Sequence, residues 1–349
     1  MHVGLRGAMV LQGENLIGQN YKISVALCTF NGGNFIGLQL ESILNQSRPP
    51  DEVIICDDAS TDDTIAILRR VAAGRSSTVR IIQNEKKLGC VKNFEKAIKL
   101  TTGDIIFLSD QDDVWFKEKI ASVLIAFGES DNIGLVYSDA IITNAALEAT
   151  GCTLFGRRKK MHLSGKRLPH QLMRGVGING CTMAFRSCLK DFILPISETE
   201  GWGHDHWIAF IAHAVMDNRS IDKPLMYYRR HGHNSGNDPF LDGGWLTNLR
   251  GLATEGTTAY ARDLYRWEVM LMRLDKIEKS QSLLLEYRAR LNIFKGECEQ
   301  RIKFARLREH IKQAGRMKRI MPLVHALLKG NYHRYLHGIK SFFKDLLIL

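Results

Sequence analysis

Three carboxylates, Asp110, Asp112 and Asp113, stand within the stretch "FLSDQDDVW", directly behind the apolar run Ile105-Ile106-Phe107-Leu108. Carboxylates this close repel one another and raise each other's pKa unless a cation sits among them. A turn or a helix cap accounts for one or two of the acids. Three immediately after a buried strand point to a divalent cation, and all-oxygen ligands prefer Mg2+ or Mn2+. Such an ion can bridge the oxygens of a diphosphate and stabilise charge on a leaving group. Lys92, after Gly89 in "KKLGCVKN", offers a phosphate or base contact, or is an ordinary solvated helix lysine.

A second group is "GWGHDHW", Gly201 to Trp207. An acid flanked by two His and two Trp suggests a carboxylate in a partly apolar wall, a setting that raises its pKa and suits a general base. Ligation of a transition metal by His204, Asp205 and His206 together is disfavoured, because adjacent residues rarely point to one centre. A third group, "YYRRHGHNSG" from Tyr227 to Gly236, brings Arg230, His231 and His233 into a Gly-rich stretch. Phosphate contacts, a further metal ligand and a loop of solvated charges all fit it. Asp57 and Asp58 end the run "EVIICDD", placed either to accept hydrogen bonds from a ribose or base N–H or to cap the next helix.

The elements that must position these groups follow a repeated pattern. "KISVALCTF" is a β-branched strand ending in Asn-Gly-Gly, and Ile36, Leu40, Ile43 and Leu44 then recur at helical spacing before Pro49-Pro50. "EVIICDD" reads as a strand and "STDDTIAILRR" as a helix with Ser60 or Thr61 as N-cap and acids in its first turn. The strand "VRIIQN", a helix near Lys92 to Leu100, the strand "DIIFLSD", a helix near Phe116 to Phe127 and the strand "GLVYSD" complete the series. Alternating βα units with near-continuously apolar strands predict an α/β fold with a mostly parallel sheet and helices on both faces. Ligands gather at the carboxyl ends of such strands, and here those ends read Thr29-Phe30-Asn31, Asp57-Asp58, Asn84 and Asp110 to Asp113. Neither G-x-G-x-x-G after the first strand nor G-x-x-x-x-G-K-[ST] is present, so the dinucleotide fingerprint and the P-loop lack support. From Gly151 to about Asn237 the βα rhythm gives way to a loop-rich half, and after Leu246 to a helical appendage.

Composition bounds the rest. A chain of 349 residues, 45% hydrophobic, can bury a substantial core. Seven cysteines, Cys28, Cys56, Cys90, Cys152, Cys181, Cys188 and Cys298, lack metal-type spacing and indicate a reducing compartment. Neither a secretory h-region nor a spanning stretch is present. Of the net charge of +11, nearly all sits in 301–349, which holds twelve Lys/Arg against the two acids Glu309 and Asp345. An anionic membrane face suits that apolar and cationic tail, as does packing on the core; nucleic acid does not, since charge alone is no recognition motif.

The stretches "SVALCTFNGGNFIGLQLESILNQS", "VIICDDASTDDT", "NEKKLGCVKNFEKAI", "GDIIFLSDQDDVW", "GINGCTMAFR", "HDHWIAF" and "YYRRHGHNSG", in this order, resemble the family 2 glycosyltransferases of GT-A fold, in their rhamnosyltransferase-like branch of bacterial polysaccharide synthesis. The resemblance covers about Lys22 to Gly236. It implies an N-terminal extension (1–21), a catalytic domain (22–240) with a nucleotide-binding half (22–140) and an acceptor-binding half (141–240), and a basic helical region (241–349). It further implies that Thr29, Asn31, Asp57 and Asp58 cradle a nucleoside with Lys92 nearby, that Asp110 faces the ribose, and that Asp112 and His231 meet Mn2+ or Mg2+ with Asp113 in support. Gly180, Cys181 and Thr182 would face the donor sugar and acceptor, Arg230 would lie beside His231, and Asp205 would be the base of an inverting transfer. His204 stands where the family often carries Glu. The implied partners are a nucleotide-sugar and a glycan or lipid-linked acceptor, and the implied place is the cytoplasm or the inner membrane face. Two alternatives remain at this level: a haloacid-dehalogenase-type phosphatase using Asp110-Gln111-Asp112-Asp113-Val114 as D-x-D-x-V, and a nucleotide-sugar-binding protein without turnover.

Overall fold

A computed structural model describes residues 20–157, 172, 178–199, 202–232, 258–313, 316–336 and 338–348. Every residue of β1 (Ile23–Thr29), β2 (Glu52–Asp57) and β4 (Ile105–Ser109) is buried, as strands covered on both faces require. β1 runs parallel to β2 and β4, and β2 parallel to the edge strand β3 (Thr78–Gln83). The connections are α1 (Ile36–Leu44), α2 (Thr64–Ala72) and α3 (Cys90–Leu100), each burying one apolar stripe: Ile36, Leu40 and Ile43 in α1, Phe94, Ala97 and Ile98 in α3.

Beyond β4 the sheet becomes mixed. A short β5 (Val114–Trp115) leads into α4 (Lys119–Gly128) and then β6 (Ile133–Thr143), which carries β7 (Ala149–Thr153). After α5 (Leu154–Arg157), β8 (Met183–Arg186) inserts antiparallel between β4 and β6. Following α6 (Lys190–Ile193) and α7 (His204–Val215), β9 (Asp217–Arg229) lies parallel to β6 and antiparallel to β5. The order is β3-β2-β1-β4-β8-β6-β9-β5. The half read as loop-rich therefore supplies two strands of the sheet and a helix buried at ten of its twelve positions.

The helical region consists of α8 (Thr258–Glu278), α9 (Leu285–Gln313), α10 (Arg316–Leu328), α11 (Asn331–Tyr335) and α12 (Ile339–Ile348). It docks on α7 through Phe210, whose ring meets Trp267 at 5.7 Å and Phe294 at 5.1 Å. Arg290 fixes the contact by donating to Met216 O (2.7 Å) and Asp217 (2.6 Å). At the far end Arg308 grips the buried Asp345 with two hydrogen bonds of 2.6 and 2.8 Å, and Tyr332 adds a third at 2.8 Å. Paired in this way, a buried carboxylate is tolerated. No described helix is long and apolar enough to cross a membrane.

Candidate active site

Because β1, β2 and β4 are parallel, their carboxyl ends share one edge, and the register sets Thr29 beside Asp57. Thr29 Oγ1 donates to Asp57 Oδ2 at 2.7 Å, and Asp57 also accepts from the Ser60 backbone N–H (2.9 Å) and hydroxyl (2.5 Å). Asn31 takes a left-handed φ of 47°, which asparagine tolerates, and its Oδ1 accepts from the Thr61 N–H at 2.9 Å. Asp58 accepts from the N–H groups of Leu88 (2.6 Å) and Gly89 (2.9 Å) and from Asn84 Nδ2 (3.0 Å). Gly89 has φ 85°, strained for any side chain. Asp57 and Asp58 thus tie two loops to the sheet edge and do not cap a helix. Ser60 and Thr61 belong to the first of those loops, since α2 begins later, after Asp63, without acids in its first turn.

Lys92, one residue before Asn93 on α3, donates its Nζ to Glu95 (2.8 Å) and to Ile196 O (2.7 Å).

At the end of β4, Gln111 turns back and clamps Phe30, accepting from its N–H (2.8 Å) and donating to its carbonyl (3.1 Å). Asp112 Oδ2 meets His231 Nε2 at 2.9 Å, and the imidazole stacks on Phe35 at 4.5 Å. Arg229, which the motifs did not single out, donates its N–H to Asp113 Oδ1 (3.2 Å), Nε to Asp112 O (2.8 Å) and Nη1 to Ala145 O (2.8 Å). Arg230 extends β9 by donating its N–H to Thr143 O at 2.9 Å; His233 lies outside the described residues.

Oxygens of Asp110 and Asp113 and the Cys181 sulfur all lie within 4.8 Å of one another. Burial, then Asp112 and Asp205, push Asp110 up to about 7. Burial, then Asp112 and Asp110, push Asp113 well above the usual carboxylate range, and its buried Oδ2 finds no hydrogen-bond partner among the described residues. Burial, then Asp113 and Asp110, raise Cys181 strongly, so with no cation present it is a thiol facing the carboxylates. A cluster of acids that raise one another, with an orphaned carboxylate oxygen on the buried Asp113, fits a divalent cation held by carboxylate oxygens. Gly180, Cys181 and Thr182 form one 3-10 turn leading into β8, and Thr182 Oγ1 closes it on Asn179 O at 2.7 Å.

Lys119 escaped the sequence reading. It is the first residue of α4 and fully buried, with Nζ donating to Cys181 O at 2.7 Å and lying 4.2 Å from the centre of the Trp115 ring. Burial lowers its pKa to about 8 against the opposing pull of Cys181, Asp113 and Asp110. The available signal was its place in the register Lys119, Ile120, Val123, Phe127, the buried face of α4.

Asp205 and His206 are the two positions of α7 that are not buried. Asp205 Oδ1 accepts from the His206 N–H at 2.8 Å and lies 3.1 Å from His206 Nδ1. The expected rise in pKa is reversed: burial pushes up, but the charge and hydrogen bond of His206, with His204 behind them, hold Asp205 well below the usual carboxylate range. Trp207, counted as part of an apolar wall, instead turns into the core and donates to Ile193 O at 2.7 Å. A Cβ on Gly203 would collide with Asp205 Oδ1, so glycine gives the carboxylate its room. Asp205 also raises Asp110 and Cys90 electrostatically, so its carboxylate lies near enough to the acid cluster to act on it.

His204 is buried, stacked on Phe94 at 3.8 Å, and a Cβ on Gly180 would lie 2.6 Å from its Nε2. Burial lowers its pKa from 6.5 to about 4, so it is neutral at pH 7. With a depressed folded-state pKa, the unfolded chain takes up this proton first; the contribution is complete above pH 6.5 and is lost as pH falls towards 4. Between pH 7 and 4 the melting temperature of the wild type is therefore expected to fall more steeply than that of His204→Gln. Equal slopes would remove His204 as a cause.

A model of Glycosyl transferase family 2 matches residues 24–191. The dTDP-rhamnosyl transferase RfbG of Shigella flexneri is 37% identical over 219 residues, which is 60% of this chain and 72% of that protein. The chain belongs to glycosyl transferase family 2. A second relative, the UDP-Glc:alpha-D-GlcNAc-diphosphoundecaprenol beta-1,3-glucosyltransferase WfaP of Escherichia coli, is 32% identical over 120 residues, 34% of this chain and 46% of that one. Residues 1–349 of S. aureus TarS, solved in complex with UDP-GlcNAc, superpose with a TM-score of 0.54 at 17% identity over 92% of this chain and 90% of theirs, a likeness of fold. The family 2 transferase thus has the expected GT-A architecture with C-terminal helices. The phosphatase reading is set aside, since D-x-D-x-V follows the fourth strand here rather than the first.

Proposed function

We propose that this transferase is inverting and metal-dependent, moving L-rhamnose from dTDP-rhamnose, or a hexose from a UDP-sugar, to a hydroxyl of a glycan or lipid-linked acceptor in cell-surface polysaccharide biosynthesis such as O-antigen or capsule. The observation that carries it is the convergence of Asp205 with the Asp110, Asp112, Asp113 and His231 group, from three separate segments, the start of α7, the turn after β4 and the end of β9. Similarity to RfbG favours dTDP-rhamnose as donor; similarity to WfaP, named as a UDP-Glc-dependent glucosyltransferase, supports a UDP-sugar as the second choice.

In this reading Thr29, Asn31, Asp57 and Asp58 shape the nucleoside seat and Asp110 faces the ribose. Asp112 and His231 would hold Mn2+ or Mg2+, with Asp113 behind them. When bound, the cation supplies positive charge to the departing diphosphate. Asp205 accepts the proton of the acceptor hydroxyl while that oxygen attacks the anomeric carbon from the face opposite the nucleotide, inverting its configuration. One base suffices, and no covalent sugar intermediate forms.

The tail is assigned to the cytoplasmic membrane face. Helix α12 buries Phe342 and Asp345 but exposes Ile339 (52%), Phe343 (51%) and Leu346 (36%) in one stripe, amid twelve Lys/Arg and two acids in 301–349. An apolar stripe in a cationic segment suits an anionic bilayer.

The donor is tested by thermal stabilisation with a panel of nucleoside diphosphates and nucleotide-sugars, with and without Mn2+ or Mg2+. A cation-dependent shift with one nucleotide is expected, and no shift with any would overturn the reading. Vesicles containing phosphatidylglycerol should carry the protein upward in a density gradient, and Phe343→Asp should leave it at the bottom; equal flotation of the two refutes the membrane assignment.

A further inference from the structure

Lys119 sits where a cation is doubly disfavoured. It is wholly buried, and it begins α4, the end at which the helix macrodipole is positive. Among the described residues no carboxylate comes within ion-pair distance of its Nζ, so an ordinary salt bridge does not explain it. Its partners are the Cys181 carbonyl (2.7 Å), the Met226 sulfur (3.1 Å) and the face of Trp115. The charges that favour it are Asp113 and Asp110, whose own ionisation is disfavoured by burial and by one another. A buried lysine thus lies beside an acid cluster whose members raise one another, with Arg229 and His231 meeting that cluster from β9 and its end, and opposite charges so placed lower each other's cost.

We propose that Lys119 is a positioning residue of the transferase with two linked roles. Through Cys181 O it holds the Gly180–Thr182 turn against the acid cluster, and its charge joins that of Arg229 in balancing Asp110 and Asp113 whenever no divalent cation is bound. The same charge then opposes the incoming cation, keeping the seat assembled yet the ion exchangeable. The second role rests on the divalent-cation reading; the first does not.

The test uses the full chain with Lys119→Met, which keeps the length of the side chain, Asp113→Asn, and the double variant. In EDTA, Lys119→Met should melt below the wild type, and adding Asp113→Asn should raise the melting temperature again, because one uncompensated carboxylate has been removed. A purely structural lysine would instead give two losses that add. Titration with MnCl2 alone should show Lys119→Met binding roughly tenfold more tightly than the wild type, the direction set by loss of a nearby like charge. Additive destabilisation in EDTA, or weaker Mn2+ binding by a folded Lys119→Met, overturns the proposal. If Lys119→Met does not fold, Lys119→Arg takes its place and should keep the wild-type Mn2+ affinity; a tenfold change there is the overturning result. Wild-type protein that ignores Mn2+ would refute the cation reading, while the melting cycle still judges Lys119.

Discussion

Asp205→Asn should lose roughly 10^3-fold in kcat while binding its nucleotide as the wild type does, within the 10^2 to 10^4 that a positioned general base contributes. The substitution is isosteric, so the room left by Gly203 remains filled, and the amide can still accept the His206 N–H. What disappears is the proton acceptor. Thr29, Asn31, Asp57 and Asp58 lie at the ends of β1 and β2 and on the loops after them, and none of their hydrogen bonds among the described residues involves Asp205. Donor affinity, read as thermal stabilisation by the nucleotide with Mn2+, should therefore survive where turnover does not. Because His206 holds Asp205 ionised far below neutrality, the acid side of the wild-type rate profile should not be set by this carboxylate near pH 7. A variant that turns over within threefold of the wild type would leave Asp205 without the role of base, and would revive a nucleotide-sugar-binding protein whose acid groups serve binding alone.

How far the sequence announces this site depends on which contacts are local. β1, β2 and β4 were legible because strands covered on both faces must be continuously apolar, and their polar carboxyl ends marked the functional edge in advance. β8 was not, since only Met183–Arg186 forms it and its pairing with Ile105–Phe107 joins segments far apart in the chain. α7 lacked an amphipathic signal for the opposite reason: buried nearly all round, it has no polar face to set a period. Residue types named the three acids, but the meeting of Asp112 with His231, 119 positions apart, was implied by the family resemblance alone. Asp205 shows the limit of arguing from neighbours in sequence. Two tryptophans suggested an apolar wall, yet Trp207 faces inward and His206 decides the charge state. Lys119 was hidden by its type, because a lysine near acids reads as solvated until its place in the buried register of α4 is noticed.

Asp112→Ala should separate function from stability in opposite directions. Asp112 joins Asp110 and Asp113 in a group whose mutual repulsion raises the other two, so its removal relieves a cost that the metal-free fold carries. In EDTA the variant is expected to melt at or above the wild-type temperature. With donor, acceptor and saturating Mn2+, kcat should fall by roughly 10^3-fold, since electrostatic stabilisation of a leaving group is worth several kcal/mol. The nucleotide-induced shift should shrink and lose its dependence on Mn2+, because the variant keeps Thr29, Asp57 and Asp58 but not the carboxylate that meets His231. Treating the wild type with EDTA should reproduce the kinetic loss reversibly, whereas the variant should not respond to added metal. An Asp112→Ala protein that melts several degrees lower in EDTA would mean that the hydrogen bond to His231 is a structural tie. Retention of a Mn2+-dependent rate would move the ion away from Asp112 and onto Asp110 and Asp113, the oxygens already gathered around Cys181.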